Sequence, residues 1–260
     1  MIDILFIAGT CILMSIISVL CILFLRKRNV YTELAKDHDV TGNIYSIVGS
    51  IYSVLLAFTV VVDWGIYRDT ESKVSVEVAA MASIFRDSRV FSDVQKATLI
   101  QRDLMTYATI VIEEEWPLLA KERSSRKAID QIHRVFKDIA DLHPADDYEK
   151  IWYQELIQKA DDFSNARNQR VLSSTKSIPV LMWGVIIFGG LITISCSFLS
   201  GVSNTIPHLL MVGALSCLIT LVIMLVYALD HPFTGIITVK SDPFVNQLFH
   251  WKEYYHASPL

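Results

Sequence analysis

The sequence predicts an all-α membrane protein. Four transmembrane helices carry a helical soluble domain between the second and third spans, and the second span continues as one long helix. Three observations lead there. The 260 residues are 52% hydrophobic with a mean hydropathy of +0.41, above what a soluble domain of this size shows. The charged residues concentrate between Arg68 and Lys176, leaving both ends of the chain apolar. No segment alternates polar and apolar residues for long enough to specify a strand.

The first span is expected over about 4–25. It lacks a basic leader and a small-x-small cleavage site, so it reads as a retained transmembrane helix stopped by Arg26, Lys27 and Arg28. A short polar connection, Asn29 to Asn43, contains Asp37, His38 and Asp39. The second span follows at about 44–64. Ile44 to Val62 carries no charge and is long enough to cross a hydrocarbon core at a rise of about 1.5 Å per residue. Gly49, Ser50 and Ser53 are small enough to permit close helix approach in lipid. Trp64 and Tyr67 stand where an interfacial belt belongs.

Beyond Val62 the pattern turns polar without breaking. No proline interrupts it, and Val74, Val78, Met81 and Phe85 share one helical face. The polar domain is assigned to 65–177. Ser92-Asp93-Val94-Gln95 reads as a capping box, and Ile100, Leu104, Tyr107 and Val111 form the stripe behind it. Pro117 is expected to kink or end that helix. Ser124-Ser125 caps the next, whose stripe is Ile129, Ile132, Phe136 and Ile139. His143-Pro144 breaks the chain, and Asp146-Asp147 restarts it with Trp152, Leu156, Ala160 and Phe163 inward. About four amphipathic helices are enough for a bundle.

The second helix pair occupies 178–230, with spans at about 179–199 and 208–229. Pro179 suits a first turn, and Gly184, Gly189 and Gly190 lie inside the third span. The tail, 231–260, carries Phe244, Phe249, Trp251, Tyr254 and Tyr255, and docks on the membrane surface or the bundle. Basic residues flank both sides of the spans: Arg26, Lys27, Arg28 and Lys36 on one, Arg68, Lys73, Arg167, Arg170 and Lys176 on the other. The positive-inside rule therefore assigns no side to the polar domain.

Composition also narrows function. With 23 basic and 27 acidic residues the chain offers no basic surface for nucleic acid. Cys11, Cys21, Cys196 and Cys217 all fall in apolar segments, with no zinc or disulfide spacing. The seven histidines form no metal motif, and His208 at a span start reads as interfacial. Glycine-rich phosphate loops, nucleophile elbows and paired carboxylates are missing from the sequence, so no enzyme and no cofactor are expected.

Three stretches resemble the bestrophin-like family of mainly bacterial membrane proteins. Gly49-x-x-Tyr52-x-x-Leu55-Leu56-Ala57-Phe58, with Trp64-x-x-Tyr67 and Glu77, is similar to its second span. Arg167-x-x-Arg170-x-Leu172, Ile178-Pro179 and Trp183 resemble its entry to the third. Leu229-Asp230-x-Pro232-Phe233-x-Gly235 resembles its exit from the fourth. The resemblance implies a multi-pass protein of the bacterial cell (inner) membrane, assembled as a homo-oligomer, a pentamer by analogy with bestrophin anion channels. It implies chloride or another anion as the permeant species. By position Ile51, Val54 and Phe58 would line the pore, and Asp63, Trp64 and Tyr67 would stand at its mouth. The aromatic, basic stretch that follows the neck in bestrophins is reduced here to Trp64, Tyr67 and Arg68, and no acidic calcium clasp is recognisable. Arg167, Arg170 and Asp230 all fall near membrane ends, which suggests a structural ion pair between one arginine and Asp230. The rival expectation is a non-conducting, membrane-anchored sensor or scaffold whose helical domain binds a partner.

Overall fold

The computed structural model describes residues 2–27, 38–175, 178–199 and 204–257. Arg28 and Lys36, and Asp37 of the first connection, lie outside them. Among the described residues the chain is predominantly helical, without strands. Its longer helices are α1 (Ile2–Lys27), α2 (His38–Asp87), α3 (Val94–Ile110), α4 (Arg126–Ala140), α5 (Asp147–Ser173), α6 (Val180–Phe198), α7 (Thr205–Asp230) and α8 (Asp242–Ala257). Four of them, α1, α2, α6 and α7, are long and apolar enough to cross a membrane.

The residues group into two compact units. A membrane unit holds 1–66, 177–231 and 235–237, and a helical unit holds 67–176, 232–234 and 238–260.

In the membrane unit α1 runs along α7, where small polar residues join them. Ser15 donates to the Gly213 carbonyl at 3.1 Å, and the Ser216 hydroxyl donates to Ser18 at 2.7 Å. The core of the unit is an apolar cluster of Tyr52 and Leu56 on α2, Ile178 just before α6, Ile186 and Ile194 on α6, and Ile219 and Val226 on α7. Gly189 and Gly190 serve this contact. A Cβ on Gly189 would lie 2.6 Å from the Tyr52 ring, closer than atoms tolerate. The Tyr52 hydroxyl donates to the Ile186 carbonyl at 2.9 Å, which fixes the ring there. His208, at the start of α7, is buried between Arg26 and the Ser197 carbonyl, 3.1 Å from each.

In the helical unit the stripes meet as the periodicity requires. Val74, Val78, Met81 and Phe85 of α2 are buried, as are Ile100, Leu104, Tyr107 and Val111. On α4 the inward line is rotated slightly from the expected stripe, to Ala128, Gln131, Ile132, Val135 and Ile139. Ser125 caps α4 by accepting from the Ala128 N–H, and Asp146 caps α5 by accepting from that of Glu149. The cap of α3 is Asp93 rather than Ser92. Asp93 accepts from the Lys96 N–H at 3.0 Å, while Ser92 donates from both its amide and its hydroxyl to Glu149. The tail is the helix α8, with Phe244, Leu248 and Trp251 buried in this unit and Trp251 stacked on Phe85 at 4.3 Å.

Candidate functional site

The faces of α2 in the membrane unit differ sharply. Tyr52, Leu56, Thr59 and Asp63 recur at i, i+4, i+7 and i+11 and are buried against the other spans. Ile51, Val54 and Phe58 are bare, exposed by 66%, 55% and 69%. Ile44, Ile47, Val61 and Val62 are exposed as well, so uncovered apolar surface runs the length of the span. Alongside, Gly49, Ser53 and Ala57 border an apolar groove of about 590 Å³ that α7 closes with Leu215, Leu218 and Leu225.

The residues expected at a pore mouth separate. Trp64 is half exposed. Tyr67 is nearly buried and donates to Glu71 at 3.1 Å and to the Thr238 carbonyl. Asp63 does not belong with them. Five residues past Phe58 it is turned by roughly 140° about the helix axis, at 3.6 residues per turn. It is fully buried among the chain's own spans, so an exposed mouth position is corrected to an interior one.

The arginines also find other partners than expected. Arg170 is completely buried and donates from Nε to Glu77 Oε2 at 2.6 Å, and from Nη2 to Glu77 Oε1 at 3.1 Å and Glu115 Oε2 at 2.7 Å. Arg167 donates to the other Glu115 oxygen and to the Ser125 carbonyl. The Tyr107 hydroxyl donates to Glu77 at 2.5 Å. The aromatic faces of Trp116 and Phe244 lie 5.2 and 5.6 Å from the Arg170 guanidinium. Two buried arginines thus meet two buried glutamates, and the cluster is charge-balanced. Burial works to raise the Glu115 carboxyl, but Arg170 and Arg167 outweigh it and hold Glu115 below its ordinary range. Burial and the Glu77 charge push the Tyr107 hydroxyl well up, so it remains a donor.

Asp230, the carboxylate the sequence set against these arginines, accepts instead from the Ile178 N–H at 2.8 Å and the Trp183 indole N–H at 3.3 Å. The motif residues around it are explained locally. The Val239 amide donates to the Pro232 carbonyl at 2.7 Å, closing a turn in which Gly235 takes φ +79°, a left-handed conformation that favours glycine.

Glu115 escaped sequence reasoning because the run Glu113-Glu114-Glu115 looks like a solvated face. Glu114 does face outward, to Lys127 and Ser125. Glu115 turns inward because Val111–Glu115 forms a π-helical turn before the short helix Trp116–Leu119. Pro117 has no N–H and crowds the carbonyl four residues back, so widening the helix just before it relieves a conflict. The acid directly ahead of Trp116-Pro117 was the available signal.

Among the described residues no group of histidine, cysteine, aspartate and glutamate side chains is arranged to hold a metal ion.

A family model described as bestrophin-like domain matches residues 12–244. No curated protein matches the sequence. Among solved structures, a bacterial bestrophin homologue from Klebsiella pneumoniae superposes with a TM-score of 0.72, over 96% of this chain and 98% of that one, at 14% identity. A substituted form of that homologue gives 0.73 over 98% and 100%, again at 14% identity. At such identity the likeness is one of fold. With the family model spanning nearly the whole chain, from the first membrane helix into α8, this integral membrane protein belongs to the bestrophin-like family.

Proposed function

We propose that the chain assembles as an oligomeric, anion-conducting channel in which the bare face of α2 lines the pathway. The observation that carries this reading is the exposure of Ile51, Val54 and Phe58 on one side of a span whose opposite side is fully packed. An apolar constriction of this kind passes ions when it wets and blocks them when it dries. Trp64 follows Phe58 by six residues on the same helix and would stand at the mouth, with Tyr67 one turn further on. Anion selectivity, a pentameric assembly and placement in the bacterial inner membrane rest on the family likeness. The alternative, a membrane anchor for a partner-binding helical unit, predicts no current at all.

Purified protein in planar bilayers tests this directly. Chloride current is expected, and Phe58→Ala is expected to change unit conductance several-fold by widening the constriction. Silence across a range of pH and calcium, or a conductance indifferent to Phe58→Ala, would overturn the pore assignment.

A further inference from the structure

Asp63 is the carboxylate that the pathway does not use. It is fully buried in the membrane unit, and neither of its side-chain oxygens has a hydrogen-bond partner among the described residues. Asp230 is buried as well but is well supplied, accepting from the Ile178 amide and the Trp183 indole. Both sit where the chain passes from the membrane unit to the helical unit, Asp63 near the end of the membrane part of α2 and Asp230 at the end of α7. Asp230 is the ionisable group of α7 whose field reaches Asp63. From α6 and its approach come Trp183 and the Ile178 amide, both committed to Asp230. On α2 the next ionisable side chains are Tyr67 and Arg68, and both engage Glu71.

An ionised carboxylate without donors is strongly disfavoured in such surroundings. A second negative charge nearby makes two ionised groups costlier still. When two carboxyls in one environment differ in donors, the supplied one keeps the charge and the bare one keeps the proton. We propose that Asp63 is a proton-binding site of the membrane unit, and that loss of its proton loosens α2 from α6 and α7. Asp63 stands one turn from Thr59 and two from Leu56, on the face that makes this contact. Ionised, it must reach water or a cation, and it can do so only by shifting that face. The proposal holds whether or not the protein conducts.

Infrared spectroscopy of the full chain in lipid nanodiscs, across a pH titration, tests it. A protonated-carboxyl C=O band is expected at mildly acidic pH, lost in Asp63→Asn and retained in Asp230→Asn. Without the Asp230 charge the band should vanish at a lower pH than in the wild type. A Glu at this position, in Asp63→Glu, should keep a band at altered frequency, which separates loss of the group from loss of fold. Thermal stability of the wild type should fall as pH rises from the ordinary carboxyl value of about 4 toward neutral, and Asp63→Asn should remove part of that fall. A spectrum at mildly acidic pH unchanged by Asp63→Asn, or a band that disappears with Asp230→Asn instead, would overturn the assignment.

Discussion

The ring of Tyr52 occupies the space where side chains at 189 and 190 would begin, and its hydroxyl is tied to the Ile186 carbonyl. It cannot swing aside without giving up a buried hydrogen bond, a loss of about 1 kcal/mol. Gly189→Ala should therefore destabilise the membrane unit by about 1–3 kcal/mol, the usual cost of overpacking. Thermal unfolding in detergent measures it, and the effect should shrink when Tyr52→Leu is added, because the clash is with that ring. Arg170 poses the opposite problem. Removing it leaves Glu77 and Glu115 buried with too little positive charge. Arg170→Met is expected to cost about 3–5 kcal/mol, as breaking a buried pair from one side does. Arg170→Lys keeps the charge but not the fork that reaches both glutamates, so it should recover only part of the loss.

Among the elements, α2 was the most legible. Its uninterrupted pattern and its inward stripe through Phe85 both follow from spacing alone, and the helix ends at Asp87. The caps at Ser125 and Asp146 were legible for the same reason: a polar side chain before an apolar period has one use there. What could not be read was partnership. Arg167 and Arg170 announce a shared inward face, but which carboxylate meets it depends on the π-helical turn that rotates Glu115. Asp63 was legible as a carboxylate at a span end but not as an interior one, because depth and rotation both depend on which spans pack beside it.

The α4 helix carries a further element-level consequence. Asp138 faces Asp103 on α3, and burial, followed by the hydrogen bond to Asp103 and its charge, pushes its carboxyl up to about 6, with Asp141 adding to the shift and Lys96 opposing it. In the unfolded chain it titrates near the ordinary value of about 4. The folded state thus binds more protons between those values, and stability falls as pH rises through that window. Asp138→Asn should flatten this part of the profile, which thermal melts between acidic and neutral pH would show.

For the molecule as a whole, the helical unit is not one stretch of chain. Residues 67–176 supply most of it, but Phe244, Leu248 and Trp251 come from beyond the last span. Phe244 packs near both Tyr107 and Trp116, within sight of Arg170. Truncation before Asp242 should leave α1, α6 and α7 able to insert, yet expose the Phe85 and Tyr107 faces. Limited proteolysis should then cut within 67–175 far faster than in the full chain, while the spans remain protected.

This discontinuity also fixes an order of events during synthesis. Glu77 and Glu115 are made long before Arg170 can neutralise them, and the Phe244 ring over Arg170 is made only after α7. A nascent chain therefore reaches its third and fourth spans with the helical unit still open. The ribosome must deliver the final spans to the membrane before that unit can close, so a delay in their insertion would appear first as a misassembled water-exposed unit rather than as a missing helix.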